Sequence, residues 1–313
     1  MNNIKLLTGT SHPQLARNIA ELLRMDLTPV EWIRFSNDNL FCRIGESIRE
    51  TDVFIIQTSR PPVNDILMEL YLLIDAAKYA SAGRITAVLP YYPYVRSDKK
   101  DQPRIPVTAR LIADQLVAAG AHHVVTMDLH SPQTLGFFRI PADHLYAAPV
   151  IVDYFRKRAL KNYVIIAPDA GGVARARFYA QRLSLPMAII DKRRDPKLGR
   201  EVEITYIIGD IKGKDALIID DEITTGNTVF QSAEALLKDG AASVSACCIH
   251  GVLQGDAISR FKKSKLKELT ITDTVPHDKK NLPKNLTTLS IAPLLAEAIR
   301  RIHEGESLSA MFI

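Results

Sequence analysis

The sequence predicts an α/β protein with two halves of similar size, each built on a mainly parallel sheet flanked by helices. First, short apolar runs rich in β-branched residues alternate with segments of helical periodicity, as parallel sheets with crossover helices require. Second, 313 residues are about twice the length of a typical single core. Third, the alternating pattern restarts near residue 147, which places the domain boundary between 1–146 and 147–313.

The individual elements follow from these patterns. One helix is expected after Ser11, and another is marked by apolar residues from Ile66 to Ala77 at helical spacing. A last helix covers 294–303 and ends at Gly305, and the tail 306–313 is expected to pack back on the first half. The strand-like runs are 4–7, 53–57, 85–89, 124–127, 164–167, 188–190, 216–219 and 244–249.

Composition and charge are those of an ordinary globular protein. Apolar residues make up 47% and charged residues 24%. The net charge of +5 is dispersed, as on a solvated surface, and by itself identifies no partner. We expect no nucleic-acid partner and no membrane association. The three cysteines have neither zinc-site spacing nor a disulfide pattern. The chain starts without a basic region leading into a long apolar stretch, and no apolar run reaches membrane-spanning length. We therefore expect a cytoplasmic protein.

The most informative segment is 216–228, where a buried strand is followed by paired acids and then by a turn rich in hydroxyls. Asp220 and Asp221 can accept hydrogen bonds from vicinal ribose hydroxyls. Backbone N–H groups at a helix N-terminus can bind a phosphate dianion, and Gly226 allows close approach of the backbone. The candidate sugar-phosphate residues are Asp220, Asp221, Thr224, Thr225, Gly226, Asn227 and Thr228.

This segment resembles the phosphoribosyl-diphosphate loop shared by type I phosphoribosyltransferases and ribose-phosphate diphosphokinases. Further segments resemble the diphosphokinases in that family's order: 34–39, 94–101, 126–130, 168–172 and 191–194. The resemblance covers nearly the whole chain and implies two tandem phosphoribosyltransferase-like domains. It also implies transfer of the β,γ-diphosphate of ATP to the 1-hydroxyl of ribose 5-phosphate, with release of AMP.

The resemblance assigns roles to individual residues. Lys192 and Arg194 are the expected catalytic cations of a loop that closes over the β-phosphorus. His130 and Asp169 are expected to help hold Mg2+. ATP is expected to contact Phe35, Asn37, Asp38, Asn39, Arg96 and Ser97, the adenine contact of Phe35 and Asn37 being made to a neighbouring subunit. A homo-oligomer, by resemblance a hexamer, is therefore expected.

The resemblance also indicates candidate effector-binding positions, and the chain differs from the family pattern at three positions. Positions that bind phosphate or ADP in regulated family members match Ser47, Arg49, Arg104, Ser307 and Ser309. The chain has Asn39 where an acid is frequent, Ser97 where Gln is common and Thr224 where an acid is usual. These changes predict an altered nucleotide preference and leave the general base unassigned. Two alternatives stay open: a phosphoribosyltransferase that consumes the diphosphate product, and a catalytically silent regulatory homologue.

Overall fold

The structure is a computed structural model that describes residues 3–194 and 203–312, with the side chains of 192–194, 203–205 and 279 left outside that description. The chain divides into two compact units. Unit 1 comprises Met1–Ala147, Thr274–Pro276 and Ser290–Ile313, and unit 2 comprises Ala148–Asp273 and His277–Leu289. No helix of the described residues has the length and apolar character needed to cross a membrane.

Unit 1 contains a five-stranded, fully parallel sheet in the order β1-β4-β5-β6-β7 and a separate hairpin of β2 and β3. Every residue of β4 is buried, as expected for a central strand covered by helices on both faces. The elements up to the unit boundary are β1 Ile4–Thr8, α1 Pro13–Leu23, β2 Val30–Arg34, β3 Leu40–Ile44, β4 Asp52–Ile56, α2 Val63–Tyr79, β5 Arg84–Leu89, α3 Thr108–Ala119, β6 His123–Met127 and β7 Ala142–Leu145.

Unit 2 contains a seven-stranded sheet in the order β10-β9-β8-β11-β12-β13-β14, parallel except for the β9–β10 pair. The predicted α/β class with mainly parallel sheets is therefore confirmed. Its elements are α4 Ala148–Arg156, β8 Tyr163–Ala167, α5 Val173–Leu183, β9 Met187–Arg194, β10 Glu203–Ile208, β11 Asp215–Ile223, α6 Asn227–Lys238, β12 Ser243–Gly251, α7 Ala257–Lys263, β13 Leu269–Thr272 and β14 Leu286–Leu289.

The last helix, α8 (Ala292–Glu304), returns to unit 1, although the sequence assigned it to the second half. Its apolar face is buried, and Arg84 donates a hydrogen bond to the carbonyl of Ile302 (3.1 Å). Nδ1 of His303 lies 2.8 Å from a carboxylate oxygen of Asp52, at the start of β4. The helix ends at Gly305, which takes the left-handed conformation expected of a C-terminal cap (φ 71°).

Candidate active site

The predicted sugar-phosphate residues lie together at the carboxyl edge of the unit 2 sheet. β11 runs to Ile223, so the two acids lie within the strand and not beyond its end, where the sequence had placed them. The strand is longer than predicted because it pairs with β12 as far as Gly251. The loop 224–228 then leads directly into α6, and the side chains of Thr225, Asn227 and Thr228 are exposed.

The two acids face a cation that sequence reasoning missed. Nη1 of Arg175, on α5, lies 3.2 Å from Oδ1 of Asp221 and 3.6 Å from Oδ1 of Asp220. All three side chains are at most about one-fifth exposed. Burial raises the pKa of Asp220 well above its usual value and Asp221 raises it further, whereas Arg175 acts in the opposite direction. Arg175 thus favours the ionised form of the pair, in which the carboxylate oxygens act only as hydrogen-bond acceptors.

Asp169 lies at the same sheet edge, because β8 is the parallel neighbour of β11. It follows the end of β8 by two residues, and its side chain is exposed. One carboxylate oxygen accepts a hydrogen bond from the backbone N–H of Gly172 (2.9 Å), which fixes the turn into α5. The same helix that carries Arg175 thus begins beside Asp169, and oxygen ligands at such an edge suit a hard divalent cation.

Lys192 and Arg194 lie in β9, which was predicted to end at residue 190. The strand continues because it pairs in antiparallel fashion with β10, with Arg194 opposite Glu203. Pairing of β9 with β8 reaches only Ile189, so the backbone at Lys192 and Arg194 extends past the end of β8. The side chains of both residues, and the segment 195–202 of the expected catalytic loop, lie outside the described residues.

In unit 1, Arg96 lies in the segment between β5 and α3, and His130 follows the neighbouring parallel strand β6. Both residues are exposed. Ser97 has a different environment. Its hydroxyl accepts a hydrogen bond from the N–H of Thr108 and contacts the Thr108 hydroxyl, both at 3.2 Å. Ser97 therefore stabilises the start of α3, and this contact competes with the predicted contact to ATP.

The predicted adenine contacts form the turn of the β2–β3 hairpin. Phe35 is half exposed and its ring lies 6.2 Å from that of Phe41. The N–H of Asn39 donates to Oδ1 of Asn37 (3.3 Å). Asp38 takes a left-handed conformation (φ 68°) and pairs with Arg34 at 2.6 Å. The negative charge of Asp38 is thus neutralised within the hairpin.

The candidate effector residues are all exposed, but their role stays a prediction. Ser47 and Arg49 follow β3, and Arg104 lies in the loop before α3 with a left-handed backbone (φ 65°). Ser307 and Ser309 follow α8, where the carbonyl of Ser307 accepts a hydrogen bond from the Arg301 side chain (3.0 Å).

Two family models match the chain. Residues 4–120 match the N-terminal domain of ribose phosphate pyrophosphokinase, and residues 196–313 match the phosphoribosyl synthetase-associated domain. A ribose-phosphate pyrophosphokinase of Caldanaerobacter subterraneus subsp. tengcongensis is 51% identical over 99% of this chain and 98% of its own length. The Campylobacter jejuni ribose-phosphate pyrophosphokinase is 45% identical over the full length of both chains.

A solved structure shows the same architecture. The chain superimposes on the phosphoribosylpyrophosphate synthetase of Mycobacterium smegmatis with a TM-score of 0.92 and 39% identity, covering 97% of this chain and all of that one. The matches to the two relatives and to the solved structure each extend over nearly the whole length of the chain. The chain belongs to the ribose-phosphate pyrophosphokinase family, which is the diphosphokinase family that the sequence motifs resemble.

Proposed function

We propose that this chain transfers the β,γ-diphosphate of MgATP to the 1-hydroxyl of ribose 5-phosphate, giving 5-phosphoribosyl diphosphate and AMP. The observation that carries the proposal is the arrangement of the unit 2 sheet edge. A buried diacid paired with Arg175 leads into an exposed hydroxyl-bearing turn at the N-terminus of α6. Full-length relatedness to ribose-phosphate pyrophosphokinases supports the same activity.

The parts of the edge have separate tasks in this reaction. Asp220 and Asp221 bind the ribose hydroxyls, and the backbone N–H groups and hydroxyls of Thr224 to Thr228 bind the 5-phosphate. The sugar is then fixed with its 1-hydroxyl oxygen free to attack the β-phosphorus in line with the departing AMP oxygen. A bond forms between that hydroxyl oxygen and the β-phosphorus, the bond to the AMP oxygen breaks, and the hydroxyl proton is released.

Lys192 and Arg194 are proposed to stabilise the charge that develops around the β-phosphorus. The backbone of β9 supports this role, because both positions extend past the end of β8, at the end of the sheet where β11 carries the diacid. Cations that approach only when both substrates are bound act on the transition state more than on binding. Arg96 and the hairpin residues Phe35, Asn37 and Asn39 are proposed to bind ATP.

Mg2+ is the proposed cofactor, and Asp169 and His130 are the residues proposed to hold it. The described residues contain no group of three or more His, Cys, Asp or Glu side chains placed to bind a metal. The exposed carboxylate of Asp169 suits Mg2+, which keeps several waters and is usually held by one or two carboxylates together with substrate phosphates. The role proposed for His130 rests on the family resemblance alone. When bound, Mg2+ would neutralise charge on the ATP phosphates.

Several finer features stay proposals that rest on the family resemblance. They are a cytoplasmic location, a homohexamer, and control by phosphate or ADP at the effector positions. The substitutions at Asn39 and Ser97 are proposed to alter nucleotide preference. Comparison of ATP, GTP and ADP as donors tests that last point directly.

The test of the main proposal is an assay of the purified chain with MgATP and ribose 5-phosphate that follows AMP. AMP release that depends on both substrates is expected. Its absence would overturn the proposal, as would a requirement for a nucleobase or a partner protein.

The double variant Asp220→Asn/Asp221→Asn tests the role of the diacid. Loss of the charged acceptors should raise the KM for ribose 5-phosphate by about 10-fold or more, with a much smaller change in the KM for ATP. Asp239→Asn, an exposed acid at the far end of α6, is the matched control.

A further inference from the structure

A second arginine that no sequence motif includes contacts the phosphate loop, here defined as residues 224–228. Arg260 lies on α7, and its Nη1 donates a hydrogen bond to the carbonyl oxygen of Thr225 (3.2 Å). The same nitrogen donates to Oδ1 of Asn227. These two partners lie on either side of Gly226, so one guanidinium group holds the loop at the residue before and the residue after its glycine.

The Phe230 ring completes this arrangement. The guanidinium carbon of Arg260 lies 5.3 Å from the centre of the Phe230 ring, within the range of a cation–π contact. The ring in turn packs on Gly226, where an added Cβ would come within 2.3 Å of Cε2 of Phe230. Gly226 also has a left-handed backbone (φ 77°). The conformation of the glycine is therefore fixed by Phe230 on one side and by the two Arg260 hydrogen bonds on its flanks.

The direction of the Thr225 carbonyl has a consequence for ligand binding. Since a trans peptide group is planar, the carbonyl of Thr225 and the N–H of Gly226 point in opposite directions. A carbonyl directed at Arg260 therefore turns the Gly226 N–H away from α7. Without the guanidinium, this peptide could rotate and present a carbonyl oxygen to an anion, which would repel it. The Asn227 carboxamide is similarly oriented, because accepting through Oδ1 leaves its Nδ2 to donate.

We propose that Arg260 is a positioning residue for the 5-phosphate of ribose 5-phosphate: it fixes the donor geometry of the phosphate loop and adds positive charge beside it. The inference rests on the proposed function, because it takes ribose 5-phosphate as the ligand of this loop. Arg260 acts through Thr225, Asn227 and Phe230. Its effect is therefore specific to the sugar phosphate and does not extend to ATP.

The experiment compares Arg260→Ala and Arg260→Lys with the wild type and with the control Lys262→Ala. Lys262 lies on the same helix and is exposed, so its variant removes the same charge from α7 without touching the loop contacts. For each protein we would measure kcat, the KM for ribose 5-phosphate, the KM for ATP and the melting temperature. Direct binding of ribose 5-phosphate would be measured by isothermal titration calorimetry.

Arg260→Ala should raise the KM and the Kd for ribose 5-phosphate by about 10-fold or more, since hydrogen bonds from a charged donor are lost. The KM for ATP should stay within about 2-fold of wild type. Arg260→Lys keeps the charge but lacks the planar fork of donors, so it should recover only part of the affinity. Lys262→Ala should bind ribose 5-phosphate as the wild type does.

Two results would overturn the inference. One is an Arg260→Ala protein whose affinity for ribose 5-phosphate is unchanged. The other is an equal rise in both KM values together with a lower melting temperature, which would show a role confined to stability. Failure of the proposed function is distinguishable, because a wild type that releases no AMP can still be compared with Arg260→Ala by calorimetry.

Discussion

Replacing Arg175 by Met keeps much of the side-chain volume but removes the positive charge that faces Asp220 and Asp221. The two Arg175–carboxylate distances of 3.2 and 3.6 Å correspond to about 5 kcal/mol of attraction per pair at an effective dielectric constant near 20. The cost of removing these charges from water offsets part of this attraction. Loss of one partner from a buried ion pair typically lowers the free energy of unfolding by about 3 to 5 kcal/mol. We expect the free energy of unfolding to fall by about 3 kcal/mol at about pH 8.

The loss should depend on pH with a definite sign. The pKa of Asp220 is already raised by burial and by Asp221, and Arg175 holds it down, so removal of Arg175 should raise it further. A carboxyl whose folded-state pKa is raised destabilises the fold at high pH and ceases to do so once it is protonated. The deficit of Arg175→Met should therefore be largest at about pH 8 and should shrink as the pH falls toward about 5.

Urea unfolding followed by circular dichroism, at one protein concentration, measures this difference. The double variant Arg175→Met/Asp220→Asn is the decisive control. Arg175→Met alone leaves the Asp220 carboxylate without its cation, and the second substitution removes that carboxylate. The double variant should recover most of the stability at about pH 8. Equal losses at both pH values, or no recovery in the double variant, would show that lost packing and not charge explains the effect.

The other predictions concern the β9 cations and the start of α3. If the charges of Lys192 and Arg194 act in the transition state as proposed, Lys192→Ala and Arg194→Ala should each lower kcat by about 100-fold with little change in either KM. Steady-state kinetics with the exposed Lys161→Ala as control test this, and near-normal turnover would contradict it. Ser97→Ala should cost about 1 kcal/mol of stability through loss of the bond from the Thr108 N–H. Thermal unfolding measures that cost, and a selective rise in the KM for ATP would instead favour a nucleotide contact.

Eight strands were predictable, because each is a short apolar run and most are followed by a helical segment. The parallel strands β7, β13 and β14, the hairpin strands β2 and β3, and β10 were not predicted. The end of β9 was not predictable, since residues 191–194 are polar and charged and carry no local strand signal. They extend the strand because β10 supplies an antiparallel partner, and pairing with a distant segment leaves no trace in local periodicity. The end of β11 was underestimated for the same reason, because the strand stays paired with β12 from Asp220 through to Ile223.

The candidate site also contains residues that were recognisable from the sequence and residues that were not. The diacid and the hydroxyl-rich turn were recognisable because their chemistry is concentrated in nine consecutive residues, 220–228. Arg175 and Arg260 were not, because a single arginine on a helix is most often a solvated surface residue. Their significance comes from contacts with Asp221 and Thr225, which are 46 and 35 residues away in the chain. Only the fold brings these pairs together.

The loop motif depends on two arginines that lie outside it, Arg175 and Arg260. Under the proposed function, the residues of the phosphate loop determine which groups can touch ribose 5-phosphate, whereas the direction of those groups depends on side chains from other helices. Arg175 opposes the rise in the pKa of Asp220, and Arg260 donates a hydrogen bond to the carbonyl of Thr225. A chain with an intact loop motif but without these two arginines should therefore keep the sequence signature and lose affinity for the sugar phosphate. The two helix positions are accordingly the ones to inspect when the motif is used to infer activity.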